Sequence, residues 1–250
     1  MLLDNKVCIV TGAASKRGIG RAIAQTFAEH GGKIVILDIN EEHAKIAAAA
    51  LLGRGHKGYH CDVTNHDQCV AAVAATIADF GGVHVLVNNA GISQPRDVMA
   101  ITPEDYDRVL DVNLRGTLYM SQAVIPHMRR EKRGSIVNIA SVSAQRGGGI
   151  FGGPHYSAAK GGILGLTKAM ARQLAPDSVR VNAICPGLID TDIVGDLLTT
   201  ERGAQILKDI PMGRAGNPAE IGGCALFLAS DLSSYCTGTE VDANGGSHIH

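Results

Sequence analysis

Tyr156 and Lys160 stand four residues apart in the stretch YSAAK at 156–160. On a helix, that spacing stacks a phenol and an ammonium on one face. A tyrosine with its ordinary pKa near ~10 is a poor acid or base at neutral pH. A cation within a few ångströms favours the phenolate and brings proton transfer into reach. The same pair would also suit a solvated helical face. Three further segments turn it into a candidate proton-transfer site: TGAASKRGIG at 11–20, NNAG at 88–91 and a serine-bearing strand end at 135–143.

The glycine stretch ends the first apolar run and leads into a helical pattern beginning at Arg21. Glycines there permit a tight turn and let backbone N–H groups approach a pyrophosphate, which a helix N-terminus favours electrostatically. The next apolar run, KIVIL at 33–37, ends in Asp38, 18 residues past Gly20. A carboxylate at that point accepts hydrogen bonds from an adenosine ribose and repels a 2′-phosphate, which favours NAD over NADP. Lys16 and Arg17 within the glycine loop pull the other way, since a cation there could tolerate the phosphate, so NADP stays possible.

The elements that must position these residues follow from periodicity. Strands are expected at 7–10, 34–37, 58–61, 83–87, 135–139, 179–184 and 240–242. Helices are expected at about 18–30, 41–52, 66–80, 103–130, 156–174 and 218–229. This alternation predicts an α/β fold, a Rossmann-like doubly wound parallel sheet of about seven strands with helices on both faces, spanning 1–250 as a single dinucleotide-binding domain. TPED at 102–105 reads as an N-cap, a proline at the first helical position and acids in the first turn, and NP at 217–218 repeats the device. Two stretches lack clear periodicity, about 141–155 and 187–215, and are the expected substrate loops, because ligands of open α/β sheets sit beyond the carboxyl ends of the strands.

Composition narrows the partners. The 23 basic and 24 acidic residues nearly cancel and no long basic run occurs, so neither nucleic acid nor a membrane surface is an expected partner; the ligand should be a small molecule. The six cysteines are scattered without a CxxC pair, which suits reduced thiols in a cytoplasmic protein, and no metal site is expected. The start of the chain lacks the pattern of a signal peptide, and no apolar stretch approaches bilayer length. SHIH at 247–250 reads as a solvated tail.

Taken together, these motifs resemble the short-chain dehydrogenase/reductase family, in its single-domain branch of roughly 250 residues, along essentially the whole chain. The family's TGxxxGxG pattern corresponds to Thr11, Gly12, Gly18 and Gly20, but five residues rather than three separate Gly12 from Gly18. The resemblance implies cofactor contacts at Gly12, Ser15, Arg17, Gly18, Ile19 and Gly20 in this loop and at Asp38. It implies further contacts at Asp62 and Val63 beside adenine, along Asn89, Ala90 and Gly91, and at Pro186, Gly187, Ile189 and Thr191 around the nicotinamide. Asn113 matches a mid-helix asparagine that bends its helix and holds a water. For the serine that orients the substrate carbonyl, spacing alone selects Ser143, thirteen residues before the tyrosine. The strand-end context IVNIAS at 136–141 instead selects Ser141, because strand register is harder to shift than a glycine loop is to lengthen.

The resemblance therefore implies an NAD(P)-dependent oxidoreductase interconverting a secondary alcohol and a ketone. Tyr156 exchanges the hydroxyl proton, Lys160 lowers its pKa and binds the nicotinamide ribose, Ser141 polarises the carbonyl and Asn113 relays the proton. Gln94, Gln145, Arg146, His155, Asp190 and Asp192, beside Ile150 and Phe151, would build a pocket suited to a sugar, polyol or hydroxy acid. A 3-oxoacyl thioester reductase is the alternative. A non-catalytic nicotinamide-binding regulator would be expected to lack Tyr156 or Lys160, and an epimerase or dehydratase of the longer branch would need an added substrate domain. Apolar residues spread around the 156–174 helix (Ile163, Leu164, Leu166, Ala169, Met170, Leu174) add the expectation of a homotetramer.

Overall fold

The β-branched runs pair side by side in the computed structural model, which describes residues 1–250. Seven parallel strands form one sheet: β1 (Val7–Thr11), β2 (Lys33–Asp38), β3 (Lys57–His60), β4 (Val85–Asn88), β5 (Gly134–Ile139), β6 (Val179–Pro186) and β7 (Glu240–Ala243), in the order β3-β2-β1-β4-β5-β6-β7. Every residue of β1 and of β4 is buried. A parallel sheet covered on both faces demands this, and it explains why those runs read as continuous rather than alternating apolar sequence.

The pleat divides the core into two layers. Cys8, Val10, Ile34 and Ile36 face Ile23 and Phe27 of α1 (Ile19–Glu29) and Leu226 and Leu228 of α9 (Pro218–Ala229). Ile9, Val35 and Leu86 face Val73 of α3 (His66–Phe80), Met120, Val124 and Met128 of α5 (Gly116–Glu131), and Met170 and Leu174 of α7 (Pro154–Leu174). The chain runs outward from β1 to β2 and β3, then returns to place β4 on the other side of β1. That reversal opens a crevice past Thr11 and Asn88, where a ligand of such a sheet belongs.

The two proline-led helix starts have the expected form. Thr102 and Asp105 make a reciprocal capping box on α4 (Pro103–Leu110), and Asn217 and Glu220 make another on α9. α2 (Glu41–Ala49) begins under the side chain of Asn40.

Four expectations change. The single helix anticipated over 103–130 is broken by a π-helical turn at Asp111–Arg115, between α4 and α5. The aperiodic stretches contain two short helices, α6 (Val142–Arg146) and α8 (Glu201–Lys208). The tail is only partly solvated: Gly245 and Gly246, with φ of +65° and +85°, turn the chain at Asn244, while Ile249 and His250 stay exposed. The Asn244 side chain accepts from Gly246 N–H at 2.9 Å and donates to His248 O at 3.1 Å, while His250 Nε2 lies 3.4 Å from Asp242. Finally, Ile163, Leu164, Met170 and Leu174 of α7 are buried within the chain itself, so that helix presents less uncovered apolar surface than its sequence implied. No helix is long and apolar enough to cross a membrane.

Candidate active site

One cleft of about 1000 Å³ runs over the carboxyl ends of the strands. The glycine loop enters it at Gly12, whose φ of +62° and whose pro-side-chain position, 2.7 Å from Ala90 Cα, leave no room for another residue. Gly20 meets a different constraint. A Cβ there would fall 2.4 Å from Asn89 Nδ2, so glycine lets α1 settle against β4 while Gly20 itself lies outside the cleft wall. Gly18 and Ile19 line the cleft at the start of α1, which has neither a side-chain cap nor an acid in its first turn. Such an end suits an anion.

Asp38 closes β2 at the same end. Its two carboxylate oxygens accept from Ala14 N–H and Asn40 N–H, each at 3.2 Å, which fixes the carboxylate against the loop while it still lines the cleft. Asp62 accepts from the Thr64 hydroxyl and amide, capping the turn after β3, with Val63 beside it. Thr11 Oγ1 accepts from Asn89 N–H and Ala90 N–H, and the Asn89 amide donates to Thr11 O and Gly12 O, so β1 and β4 are stitched together where they diverge.

The central sheet is braced by a buried amide chain. Asn88 donates to Ser121 Oγ and Asn138 Oδ1, and Asn138 donates to Thr167 Oγ1 of α7. This network ties the helix carrying Tyr156 and Lys160 to the strand that ends in the candidate serine.

Tyr156 and Lys160 are both enclosed. Burial pushes the Tyr156 phenol up, while a hydrogen bond with Ser141 pulls the other way. Burial lowers the Lys160 ammonium to about 8. Lys160 Nζ donates to Ile139 O at 2.8 Å and stands 5.7 Å from the centre of the Tyr156 ring. The ammonium thus lies over the ring with its hydrogen bond given to the β5 carbonyl, and burial outweighs any lowering of the phenol. Desolvation opposes charge on both groups, so an added anion or cation in the cleft would shift them strongly.

Asn113 explains the π-helical turn. Its Nδ2 donates to Val109 O, one turn back, and to Ile92 O, both at 2.9 Å. A side chain that takes the i−4 carbonyl displaces the backbone amide from it and widens the turn. Asn113 Oδ1 is buried without a partner. It lies on one side of Gly91, whose absent Cβ would be 2.6 Å from this oxygen and 3.5 Å from Lys160 Nζ.

The two serines separate clearly. Ser141 follows β5 in extended backbone and caps α6, its Oγ accepting from Ser143 N–H at 3.1 Å, and it is the serine whose hydroxyl counters the upward push on the Tyr156 phenol. Ser143 sits inside α6, beside Gly149. Both line the cleft.

Of the residues anticipated around the cofactor and substrate, most line this one cleft: Gly12, Ser15, Gly18, Ile19, Asp38, Asp62, Val63, Asn89, Ala90, Gly91, Asn113, Pro186, Gly187, Ile189 and Thr191, with Arg146, Ile150, Phe151 and Asp192 toward the substrate loops. Arg17 does not; its guanidinium pairs with Asp190 at 2.6 Å. Gln94, Gln145, His155 and Asp190 also lie elsewhere. His155 is buried against Gln94 at 2.9 Å, Gln94 continues to Asp105 at 2.6 Å, and Gln145 turns to Asp242 at 2.7 Å. Ile206, Asp209 and Ile210, from the expected 187–215 loop, join the wall, and Ser247 joins it without a signal in the sequence. Only the chain reversal at Asn244 and the docking of α8 bring them there.

A family profile described as Enoyl-(Acyl carrier protein) reductase matches residues 12–248. An uncharacterized short-chain type dehydrogenase/reductase of Sinorhizobium fredii is 53% identical, with both chains covered completely. The chain belongs to the short-chain dehydrogenase/reductase family. A 3-oxoacyl-[acyl-carrier-protein] reductase of Thermotoga maritima is 40% identical over 98% of this chain and 99% of its own, and an uncharacterized oxidoreductase of Mycobacterium bovis is 43% identical over 99% of each. For a short-chain dehydrogenase/reductase the implied partner is a nicotinamide dinucleotide. The residues present fit one: the uncapped start of α1 would receive its pyrophosphate and the Asp38 carboxylate would meet its ribose, while the buried Oδ1 of Asn113 is left without a partner.

Proposed function

We propose that residues 1–250 act as one dinucleotide-binding domain that interconverts a secondary alcohol and a ketone with NAD, on a small polar substrate. The observation that supports this reading is that Ser141, Tyr156 and Lys160 line one cleft, with Lys160 Nζ 5.7 Å from the centre of the Tyr156 ring, and that the same cleft runs past Asp38. When bound, the nicotinamide supplies or accepts the hydride. In the reducing direction Tyr156 gives its hydroxyl proton to the carbonyl oxygen, and Ser141 donates a hydrogen bond to that oxygen as charge builds on it. Lys160 stabilises the phenolate left behind. The free Oδ1 of Asn113 accepts from a water held between it and Lys160, giving the replacement proton a route to the site.

Arg146, Ser143 and Ser247 beside Ile150 and Phe151 form a mixed wall. That mixture supports a hydroxylated or carboxylated substrate such as a sugar, polyol or hydroxy acid. Likeness to the T. maritima 3-oxoacyl-[acyl-carrier-protein] reductase supports a second reading, reduction of a 3-oxoacyl thioester. A spectrophotometric screen of polar alcohols and of acetoacetyl thioester, each with both dinucleotides, separates the two. Turnover of the thioester alone, with NADPH, would overturn the first.

Asp38 sets a measurable preference. Wild type should show higher kcat/KM with NAD than with NADP, and Asp38→Ala should narrow the gap roughly five- to 150-fold, the equivalent of ~1–3 kcal/mol of like-charge repulsion in a partly exposed site. A wild-type preference for NADP would remove this role for Asp38.

We also propose that the protein assembles as a homotetramer. Among the large apolar side chains left exposed, two groups stand together in the sequence: Val98, Met99 and Tyr106 around the start of α4, and Leu232 and Tyr235 beyond α9. Separate patches of this kind suit the self-complementary faces of closed symmetry. Light scattering at micromolar concentration should give about four times the 26.1 kDa chain mass, and a lone monomer peak would refute the assembly.

A further inference from the structure

We propose that Asp190 and Asp192 help select the cofactor from across the cleft, by holding Arg17 away from the 2′-position of the adenosine ribose. The glycine loop carries five residues between Gly12 and Gly18, and its crest reaches the loop after β6. Arg17 NH2 lies 2.6 Å from Asp190 Oδ1, and Arg17 Nε lies 3.9 Å from Asp192 Oδ1. Arg17 N–H donates to Asp192 Oδ2 at 3.3 Å, and the Ser15 hydroxyl donates to the same oxygen at 2.6 Å. One guanidinium is thus shared between two carboxylates, and backbone and side chain of the crest are both engaged.

This arrangement bears on the ribose end because of where Ala14 sits. Its N–H holds Asp38, and Arg17 follows three residues later on the same short loop. A 2′-phosphate arriving beside Asp38 would need a counter-charge, and a guanidinium is well suited to bind one. Lys16, the other cation of the loop, is exposed and outside the cleft wall. Discrimination against the phosphorylated dinucleotide then has two sources: Asp38 repels the phosphate, and the Asp190–Arg17–Asp192 clasp withholds the cation that would offset the repulsion. The clasp also ties the segment bearing Ile189 and Thr191 to the phosphate loop. All three residues are about half exposed, so each contact is screened and their joint effect on selection is modest.

The inference rests on the reading that the cleft holds a nicotinamide dinucleotide, and equilibrium binding tests it without turnover. NADH and NADPH are titrated by their fluorescence into wild type, the isosteric double variant Asp190→Asn/Asp192→Asn, and that variant with Arg17→Ala added. The double variant should improve NADPH affinity relative to NADH about three- to tenfold, and the added Arg17→Ala should abolish the gain. An unchanged ratio in the double variant, with NADH still bound, overturns the clasp alone. A gain that persists without Arg17 also overturns it, since removal of negative charge would then suffice. Failure of wild type to bind either dinucleotide overturns the cofactor reading and the clasp with it.

Discussion

Tyr156→Phe should cut turnover by about 10²–10⁴-fold, the span expected when a positioned general acid is lost, while NADH affinity changes little. The substitution deletes one hydroxyl. Tyr156 is half-buried at the cleft wall with Lys160 over its ring, and phenylalanine fills the same volume, so the fold has no cavity to absorb. The nearby Ser141 keeps its role as the cap of α6 through Ser143 N–H. Single-turnover measurements with saturating dinucleotide would isolate the chemical step from binding. A variant retaining more than about a tenth of wild-type activity would exclude Tyr156 as the proton donor.

The second large effect distinguishes two serines only two positions apart. Ser141→Ala should lower kcat by about 10²–10³-fold, because a donor aimed at developing negative charge on the substrate oxygen is lost. Ser143→Ala should cost far less, since its hydroxyl is placed within α6 and next to Gly149. Ser141 also caps α6, so its replacement carries a stability cost of ~0.5–2 kcal/mol that thermal melting registers separately from kcat. The reverse order of activities would assign the carbonyl contact to Ser143, and the distance to Tyr156 along the chain would then be the better guide than strand register.

Much of the scaffold is dictated locally, which is why it is legible in the linear sequence. Buried parallel strands require continuous apolar runs, so the inner strands declare themselves, the part-exposed edge strands β3 (KGYH) and β7 (EVDA) follow from their place in the alternation, and the α/β architecture follows from that alternation with helices. Capping is equally local. Thr102 with Asp105 and Asn217 with Glu220 act within three residues of each other. The position of Asp38 at a strand end and the four-residue spacing of Tyr156 and Lys160 need no knowledge of distant contacts either.

What only the tertiary structure decided depends on segments that meet from far apart. Arg17 stands in a loop whose sequence offers it to a phosphate, yet its partners Asp190 and Asp192 lie 173 and 175 residues away, and periodicity carries no information about such a meeting. Ser141 and Ser143 differ in setting, since β5 ends just before Ser141 and leaves it as the cap of α6 while Ser143 lies within that helix, although both line the cleft. The π-helical turn at Asn113 forms because a loop carbonyl, Ile92 O, and a helix carbonyl, Val109 O, share one side-chain amide. Gln94 and His155 bond each other, removing from the substrate wall two polar groups that their place in the chain had put there, while the reversal at Asn244 adds Ser247 to it. Secondary structure follows from which faces a segment must bury. A loop side chain points wherever its hydrogen-bonding and charge requirements are met, and here those partners come from elsewhere in the fold.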